Sequence, residues 1–262
     1  MGEFEKICKD IKSIKIQGAT NVAKAAIRAY SLKPGEKTKK ILMNLRPTEP
    51  ALFNALKFLE KEGKKKILSH FKESQEIINQ EVFKIIKSNS IIYTHCHSTS
   101  VVKALIYAKK KGKKFQVLST ETRPLFQGRK TAKELAKNKI KVSLFVDSAI
   151  HQAVKKSNLV LLGADAILES GVMNKIGSQV VAEEAKLHKK PVYIVSDSWK
   201  FSPKSMEIEE RNFKEVWENT PKRVKIRNPA FEKINRKYIK KIISELGILN
   251  YSDFIRKADK II

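Results

Sequence analysis

Residues 91–98, with the sequence IIYTHCHS, decide the fold of this chain. A short apolar run is followed at once by small and ionisable residues, which is typical of a buried strand that ends at a ligand site. Similar apolar runs follow at intervals of about 20 to 30 residues, with room for a helix in each gap. They span residues 115–118, 142–146, 159–162 and 192–195. This rhythm predicts βαβ units and a mostly parallel sheet.

The sequence before residue 88 has a different period. Apolar residues such as Ile7, Ile11 and Ile14 recur at helical spacing, and the same spacing returns over 22–29, 51–58 and 77–86. Glycines and prolines punctuate these segments. The predicted fold class is therefore α/β, with a helical N-terminal domain over residues 1–88 and an α/β domain over 89–262.

Composition places the chain among globular proteins. It has 262 residues, of which 42% are hydrophobic and 31% charged, so it can bury a core and is not of the disordered class. The two cysteines cannot form a disulfide framework and favour a reducing compartment. No segment is apolar over the length of a bilayer, and no secretory signal is visible. We expect a cytoplasmic protein with no membrane partner.

The net charge is unusual. Lysine and arginine number 54 against 27 acidic residues, which gives +27, and only nine of the 54 are arginine. Specific nucleic-acid readers favour arginine forks and stacking aromatics, whereas these lysines lie in runs typical of solvated helix ends. We expect no specific nucleic-acid partner, with nucleic-acid binding and the steering of phosphates as the alternatives.

Every predicted strand ends in small or ionisable residues. Ligands of open parallel sheets bind beyond the carboxyl ends of the strands. Core packing does not require polar groups there, whereas a common pocket does. The segments concerned are 94–98, 120–124, 147–148, 163–165 and 196–198.

Cys96 and Asp165 are the candidates for chemistry. Cys96 precedes a predicted helix start, where the helix dipole would lower the pKa of its thiol, although a free cysteine is more often a small buried residue. Asp165 follows an apolar strand and precedes more apolar residues, so desolvation would keep its carboxyl protonated near neutral pH. The alternative for Asp165 is a helix cap. His95 and His97 lack partners at metal-ligand spacing, so no metal is expected.

Three segments suggest sites for phosphate. Residues 17–20 open a helix, and free backbone N–H groups there favour an anion. Arg46 lies in a turn stiffened by Pro47, and Arg123 lies in the loop after the second strand. Residues 174–178 add an amide and an ammonium before another helix. The chain has neither a dinucleotide-binding glycine motif nor a P-loop.

Together these motifs resemble the archaeal ribose-1,5-bisphosphate isomerases. Those enzymes share a family with methylthioribose-1-phosphate isomerases and the alpha, beta and delta regulatory subunits of eukaryotic initiation factor 2B. The likeness extends over nearly the whole chain, although Gln17 stands where many members have arginine. It is carried by residues 16–19, 45–48, 94–98, 120–129, 146–149, 163–167, 174–177, 200–203 and 227–231.

The resemblance implies a Rossmann-like second domain and a pocket between the two parts of the chain. It places catalysis on Cys96 and Asp165. It places substrate and phosphate binding on Gln17, Gly18, Ala19, Arg46, Arg123, Gln127, Asn174, Lys175 and Lys200.

The implied reaction converts ribose 1,5-bisphosphate to ribulose 1,5-bisphosphate, in the salvage of AMP. We expect Asp165 to protonate the ring oxygen and Cys96 to move a proton from C2 to C1, without a cofactor. AMP is a candidate activator, and the sequence does not decide whether a nucleotide activates the enzyme. Two alternatives stay open: a non-enzymatic relative of the initiation-factor subunits, and a methylthioribose-1-phosphate isomerase.

The segment after residue 201 carries more apolar residues than its last predicted strand needs. Exposed together, they would form a patch of the kind that marks an interface. The resemblance also implies dimers that assemble into hexamers. The residues concerned are Phe213, Val216, Trp217, Phe231, Ile239, Ile242 and Ile243.

Overall fold

The computed structural model describes residues 1–262, and its N-terminal part consists of helices. These are α1 Glu3–Lys12, α2 Ala19–Leu32, α3 Glu36–Leu45 and α4 Pro50–Ile85. Gly18, with a φ of 86°, precedes α2, and Pro50 is the first residue of α4, so the predicted punctuation sets both helix starts. None of the chain's helices combines the length and the apolar sequence needed to cross a lipid bilayer.

The rest of the chain contains ten strands and five further α-helices. The strands are β1 Ser90–Thr94, β2 Phe115–Thr120, β3 Lys141–Phe145, β4 Leu159–Leu162, β5 Ala166–Leu168, β6 Gly171–Lys175, β7 Val192–Val195, β8 Phe231–Asn235, β9 Lys241–Ser244 and β10 Gly247–Leu249. The helices are α5 Thr99–Lys110, α6 Gln127–Lys137, α7 Ile150–Lys156, α8 Ser178–Leu187 and α9 Tyr251–Asp259.

A seven-stranded sheet confirms the predicted fold class. Its order is β10-β9-β7-β4-β1-β2-β3, and every neighbouring pair is parallel except β9 with β10. All five strands predicted from the apolar runs are present. The strand order reverses between β1 and β4, since β2 and β3 lie on one side and β7 on the other. Such a reversal opens a crevice at the carboxyl ends of the two central strands.

A second sheet was not predicted. It has three antiparallel strands in the order β5-β6-β8, and β6 carries both Asn174 and Lys175. β5 has only three residues, and neither it nor β6 shows the alternation of polar and apolar residues that reveals a half-buried strand. Both strands are fully buried, so their patterns carry no periodic signal.

Helix α4 contributes to two hydrophobic cores. Its backbone breaks at Gly63, where φ is 77°. Leu52, Leu56 and Phe71 pack with the N-terminal helices, whereas the last turns, 78–86, pack against α5 and strands of the large sheet. The division of the chain into domains at residue 88 stays a prediction.

The predicted apolar interface after residue 201 is partly wrong. Ile239, Ile242 and Ile243 are buried within the chain, because β9 extends the large sheet beyond the last strand predicted. Phe213 and Trp217 remain exposed, at 45% and 50%. The exposed apolar surface is therefore much smaller than the sequence suggested.

Replacing Ile242 with alanine tests this correction. Because Ile242 is fully buried, I242A should lower the free energy of unfolding by about 2–5 kcal/mol, measured by urea denaturation. The matched control is I41A, since Ile41 is 47% exposed on α3 and its loss should change stability by no more than about 0.5 kcal/mol. Equal effects of the two substitutions would show that Ile242 does not belong to the core.

Candidate active site

A polar pocket lies at the carboxyl ends of β1 and β4, where the strand order reverses. The loop after β1 and residues 163–165 after β4 form its floor, and the start of α2 and the turn between α3 and α4 form the opposite wall. The fold thus brings a helix start and a turn from the N-terminal part onto the sheet crevice.

All the predicted site residues except Arg123 line this pocket. Those it brings together are Gln17, Gly18, Ala19, Arg46, Cys96, Gln127, Asp165, Asn174, Lys175 and Lys200. They come from segments as far apart in sequence as α2 and the turn after β7. The prediction that all five polar strand ends share this pocket is only partly confirmed: residues 95–98 and 163–165 line it, whereas 120–124, 147–148 and 196–198 do not.

Arg123 is the exception. Its side chain is exposed, donates a hydrogen bond of 3.1 Å to the carbonyl oxygen of Val216 and lies over the ring of Phe126. Its backbone N–H donates to Asp147, as does that of Thr122, so the Asp147 carboxylate holds the loop after β2. The guanidinium therefore points to a neighbouring loop, and the expectation that it binds phosphate in the pocket is not supported by its placement.

Cys96 lies in a tight turn between β1 and α5. Its φ is 64°, its N–H donates to the Thr122 hydroxyl, and its carbonyl oxygen accepts from Thr131. Ser98, and not Cys96, caps α5, since its hydroxyl accepts from the N–H of Val101. The backbone of the turn is thus held at both ends, and this fixes where the thiol points.

The expected low pKa of the Cys96 thiol is wrong. Burial raises its pKa to about 12, and the nearby Asp165 and Asp147 carboxylates also raise it, while a backbone hydrogen bond and the Lys175 ammonium oppose the rise. Cys96 lies two residues before the cap of α5, so the positive end of the helix dipole does not outweigh desolvation. In the free protein the thiol is neutral.

The pKa of the Asp165 carboxyl shifts in the predicted direction. Desolvation raises the pKa of its carboxyl, against the lowering effect of Lys200, Arg46 and Lys175. No helix follows it: its N–H donates to Met173 across the β5–β6 hairpin, and β5 begins at the next residue. The alternative of a helix cap is therefore excluded, and the carboxyl is available to the pocket.

Glu49 is a pocket residue that the sequence analysis missed. It is 1% exposed, and its Oε1 accepts a hydrogen bond of 2.9 Å from Arg46. Burial, followed by the charge of Asp165, raises the pKa of Glu49 to about 8. The signal in the sequence was the position of Glu49, three residues after Arg46 and directly before the proline that opens α4.

Arg46 and Glu49 leave polar atoms free towards the pocket. The Arg46 Nε and the Glu49 Oε2 are buried and have no hydrogen-bond partner within the protein. Buried polar atoms are normally paired, and leaving one unpaired costs about 1–3 kcal/mol. These atoms are therefore available to a polar ligand.

Lysines and helix starts give the pocket a positive character. Lys200 donates to the carbonyl oxygen of Ala164 at 2.7 Å, and burial lowers the pKa of Lys175. The first residues of α2 and α5 line the pocket, so unpaired N–H groups of two helix starts face it. Arg211 and Lys130, which the sequence analysis did not single out, add two more cations. The pocket is suited to bind an anion with more than one phosphate.

Helix α4 also positions Lys200. The Asn54 amide donates to the carbonyl oxygens of Trp199 and Phe201, at 2.8 and 3.1 Å, on either side of the lysine. Trp199 stacks on His70 of the same helix, with ring centroids 3.8 Å apart. The lysine is therefore held by its backbone neighbours and not by its own side chain alone.

The two histidines beside Cys96 have structural partners. His95 is buried, with one ring nitrogen 3.1 Å from the Thr120 hydroxyl and the other 2.9 Å from the carbonyl oxygen of Ile176. His97 contacts the Thr131 hydroxyl, and burial lowers its pKa to about 4. Both rings serve to join the loop after β1 to its neighbours.

Comparison with known proteins places these features in a family. The chain matches the Initiation factor 2 subunit family over residues 35–251. The ribose 1,5-bisphosphate isomerase of Methanocaldococcus jannaschii is 35% identical, over 95% of this chain and 92% of that protein. The enzyme of the same name from Pyrococcus furiosus is 34% identical, over 94% and 90%.

A solved structure agrees with this result. The translation initiation factor eIF-2B of Pyrococcus horikoshii OT3 superposes with a TM-score of 0.84 at 25% identity, over 95% of this chain and 98% of that one. The fold, the match over most of the sequence and the similarity of the relatives together show that this chain belongs to the initiation factor 2 subunit family.

Proposed function

We propose that this protein is an isomerase that converts ribose 1,5-bisphosphate to ribulose 1,5-bisphosphate. The observation that carries the proposal is the placement of a neutral thiol and a carboxyl of raised pKa in one pocket lined by cations and two helix starts. Two relatives named for this activity, at 34% and 35% identity, support it.

The first step is the opening of the sugar ring. The substrate carries a phosphate on C1 and has no free aldehyde, so its ring oxygen must take up a proton before the ring can open. Asp165 can supply this proton, because desolvation raises the pKa of its carboxyl. The bond between C1 and the ring oxygen then breaks, which leaves a hydroxyl on C4 and positive charge on C1.

The second step moves a proton from C2 to C1. The positive charge at C1 and the Lys175 ammonium favour loss of the Cys96 thiol proton to solvent, and the resulting thiolate removes the C2 proton to form an enol that keeps the C1 phosphate. The same sulfur returns the proton to C1. The Asp165 carboxylate takes the proton of the C2 hydroxyl, which becomes the ketone, and the Asp165 carboxyl is restored. The Cys96 thiolate takes a proton back from solvent when the product leaves, so both groups regain their starting states.

The two phosphates anchor the substrate during these steps. The N–H groups at Gly18 and Ala19, together with Arg46, suit one phosphate, and Lys175 with Lys200 suits the other. Binding at both ends holds the cyclic and open forms in place. The largely polar lining favours this substrate over methylthioribose 1-phosphate, which needs an apolar slot and a single phosphate site.

Three further properties form part of the proposal. AMP is a candidate activator, and the product would enter AMP salvage in the cytoplasm. Homo-oligomers, dimers that assemble into hexamers, are expected, and the exposed Phe213 and Trp217 are available for contacts between subunits. Light scattering at micromolar concentration measures the assembly, and a monomeric mass would contradict it.

The activity itself is tested with the purified substrate. Incubation with ribose 1,5-bisphosphate, with and without AMP, should yield ribulose 1,5-bisphosphate, detected by proton NMR. In D2O the product should carry deuterium at C1, to the extent that the thiol exchanges with solvent. Turnover of methylthioribose 1-phosphate alone would support the second isomerase, and turnover of neither sugar would favour a non-enzymatic regulatory role.

Substitutions of the catalytic pair test the assigned steps. C96S and D165N should each lower kcat by about 10²- to 10⁴-fold with little change in KM, because each removes a proton-transfer group and leaves the phosphate contacts in place. C8S is the matched control and should retain full activity, since Cys8 lies outside the pocket. R46A should raise KM more than it lowers kcat. Near-normal turnover of C96S would refute the role of the thiol.

The ionisation of Cys96 is testable by alkylation. In C8S, Cys96 is the sole cysteine, and a pKa of about 12 leaves roughly one thiol in 10⁵ ionised at pH 7. Its reaction with iodoacetamide, followed by mass spectrometry, should be slow and should accelerate about tenfold per pH unit from pH 7 to 9. A rate that levels off below pH 8 would show instead that the helix dipole dominates.

A further inference from the structure

A second group of chemically reactive side chains lies outside the pocket, between α7 and α8. His151 is in the first turn of α7, Glu184 is in α8, and His188 caps the carboxyl end of α8. None of the three lines the pocket. Neither the proposed reaction nor the sequence motifs give them a role.

The three side chains converge on one point. Their ligand atoms all lie within 4.8 Å of one another. The Glu184 Oε2 is 2.9 Å from the His151 Nδ1 and 3.6 Å from the His188 Nε2. Ligands at about 2.0–2.1 Å from a tetrahedral zinc ion are about 3.3 Å apart, so both of these distances need only small adjustment.

A hydrogen-bonded surface pair does not account for this arrangement. His151 and Glu184 form such a pair, but the His188 Nε2 is buried and has no hydrogen-bond partner. At 3.6 Å, Glu184 is too distant to accept a hydrogen bond from it. A buried ring nitrogen without a partner is rare in native proteins. The nitrogen faces the carboxylate that the other histidine already contacts.

We propose that His151, Glu184 and His188 bind a divalent transition-metal ion such as Zn²⁺. Two imidazoles and one carboxylate favour zinc, nickel, cobalt or copper, whereas magnesium and calcium prefer oxygen ligands throughout. His151 is half-exposed, so a metal ion can enter from solvent and water can complete its coordination. The expectation of no metal rested only on His95 and His97, the histidines beside Cys96. His151 lies 33 residues before Glu184, a spacing that sequence inspection does not associate with metal sites.

The ion would join α7 to α8. These helices already pack against each other, and α8 begins at Ser178, whose hydroxyl accepts a hydrogen bond from Asn174 and donates one to the carbonyl oxygen of Lys175. A metal at the far end of α8 would therefore stabilise the helix that follows two pocket residues. This role is structural, and it does not depend on the proposed isomerase activity.

Zinc titration of the untagged, full-length, metal-free protein tests the proposal. Isothermal calorimetry with ZnCl₂ at pH 7.5 should show one site of micromolar or tighter affinity. H151A and H188A should each weaken zinc binding by more than about tenfold. The loss of a group that only hydrogen-bonds to a metal ligand already weakens binding by about that factor. E183Q is the matched control, because it removes the same charge one residue from Glu184 and should leave the affinity unchanged.

A second measurement distinguishes zinc bound at this site from zinc bound by the Cys96 thiol in the pocket. Addition of ZnCl₂ should raise the Tm of the wild-type protein and of C96S, but not that of H151A. His151 is half-exposed, so its replacement should not prevent folding. The proposal is overturned if zinc binds no more tightly than about 100 μM, or if H151A and H188A bind it as the wild-type protein does.

Discussion

The structure depends on the desolvation of ionisable groups where β1 and β4 end. A carboxyl or thiol removed from water resists ionisation unless opposite charges compensate. Here lysines and arginines surround Asp165 and Glu49, yet the pKa values of both carboxyls stay raised. The N-terminal helices produce this state, because the start of α2 and the turn bearing Arg46 cover the crevice of the sheet. Without that cover, the groups would be exposed to water like any residues at a strand end.

The need to keep these groups out of water explains why helix α4 has several roles. Helix α4 closes the helical core, holds the backbone around Lys200 through Asn54 and packs its last turns on the large sheet. The pocket residues lie on loops, at helix starts and on β6, and the loops are held by hydrogen bonds. In the turn that carries Cys96, the Cys96 N–H donates to the Thr122 hydroxyl and the Thr131 hydroxyl donates to the Cys96 carbonyl oxygen. The positions of the reactive groups are thus set by the packing of helices on the sheet.

The sequence predicted the features that depend on local pattern. Buried parallel strands such as β1 and β4 appear in the sequence as apolar runs. A glycine or proline at a helix start can be recognised without knowledge of the tertiary contacts. Prediction from the sequence failed for features that depend on tertiary contacts. The dipole of α5 and the burial of Cys96 act in opposite directions, and only the structure shows that burial dominates. Arg123 has the chemistry of a phosphate ligand, but its loop turns it towards Val216. Glu49 has no motif of its own, and strand β5 is too short to show a period.

The break of α4 at Gly63 has a consequence for folding. The residues before and just after the break belong to the helical core, and residues from Ile78 onwards belong to the core of the sheet. Neither core is complete without its part of the same helix. Separation of the two parts of the chain would expose apolar surface on both, so loss of one core destabilises the other. The chain is therefore expected to unfold cooperatively, as one thermodynamic unit, even though its architecture has two parts.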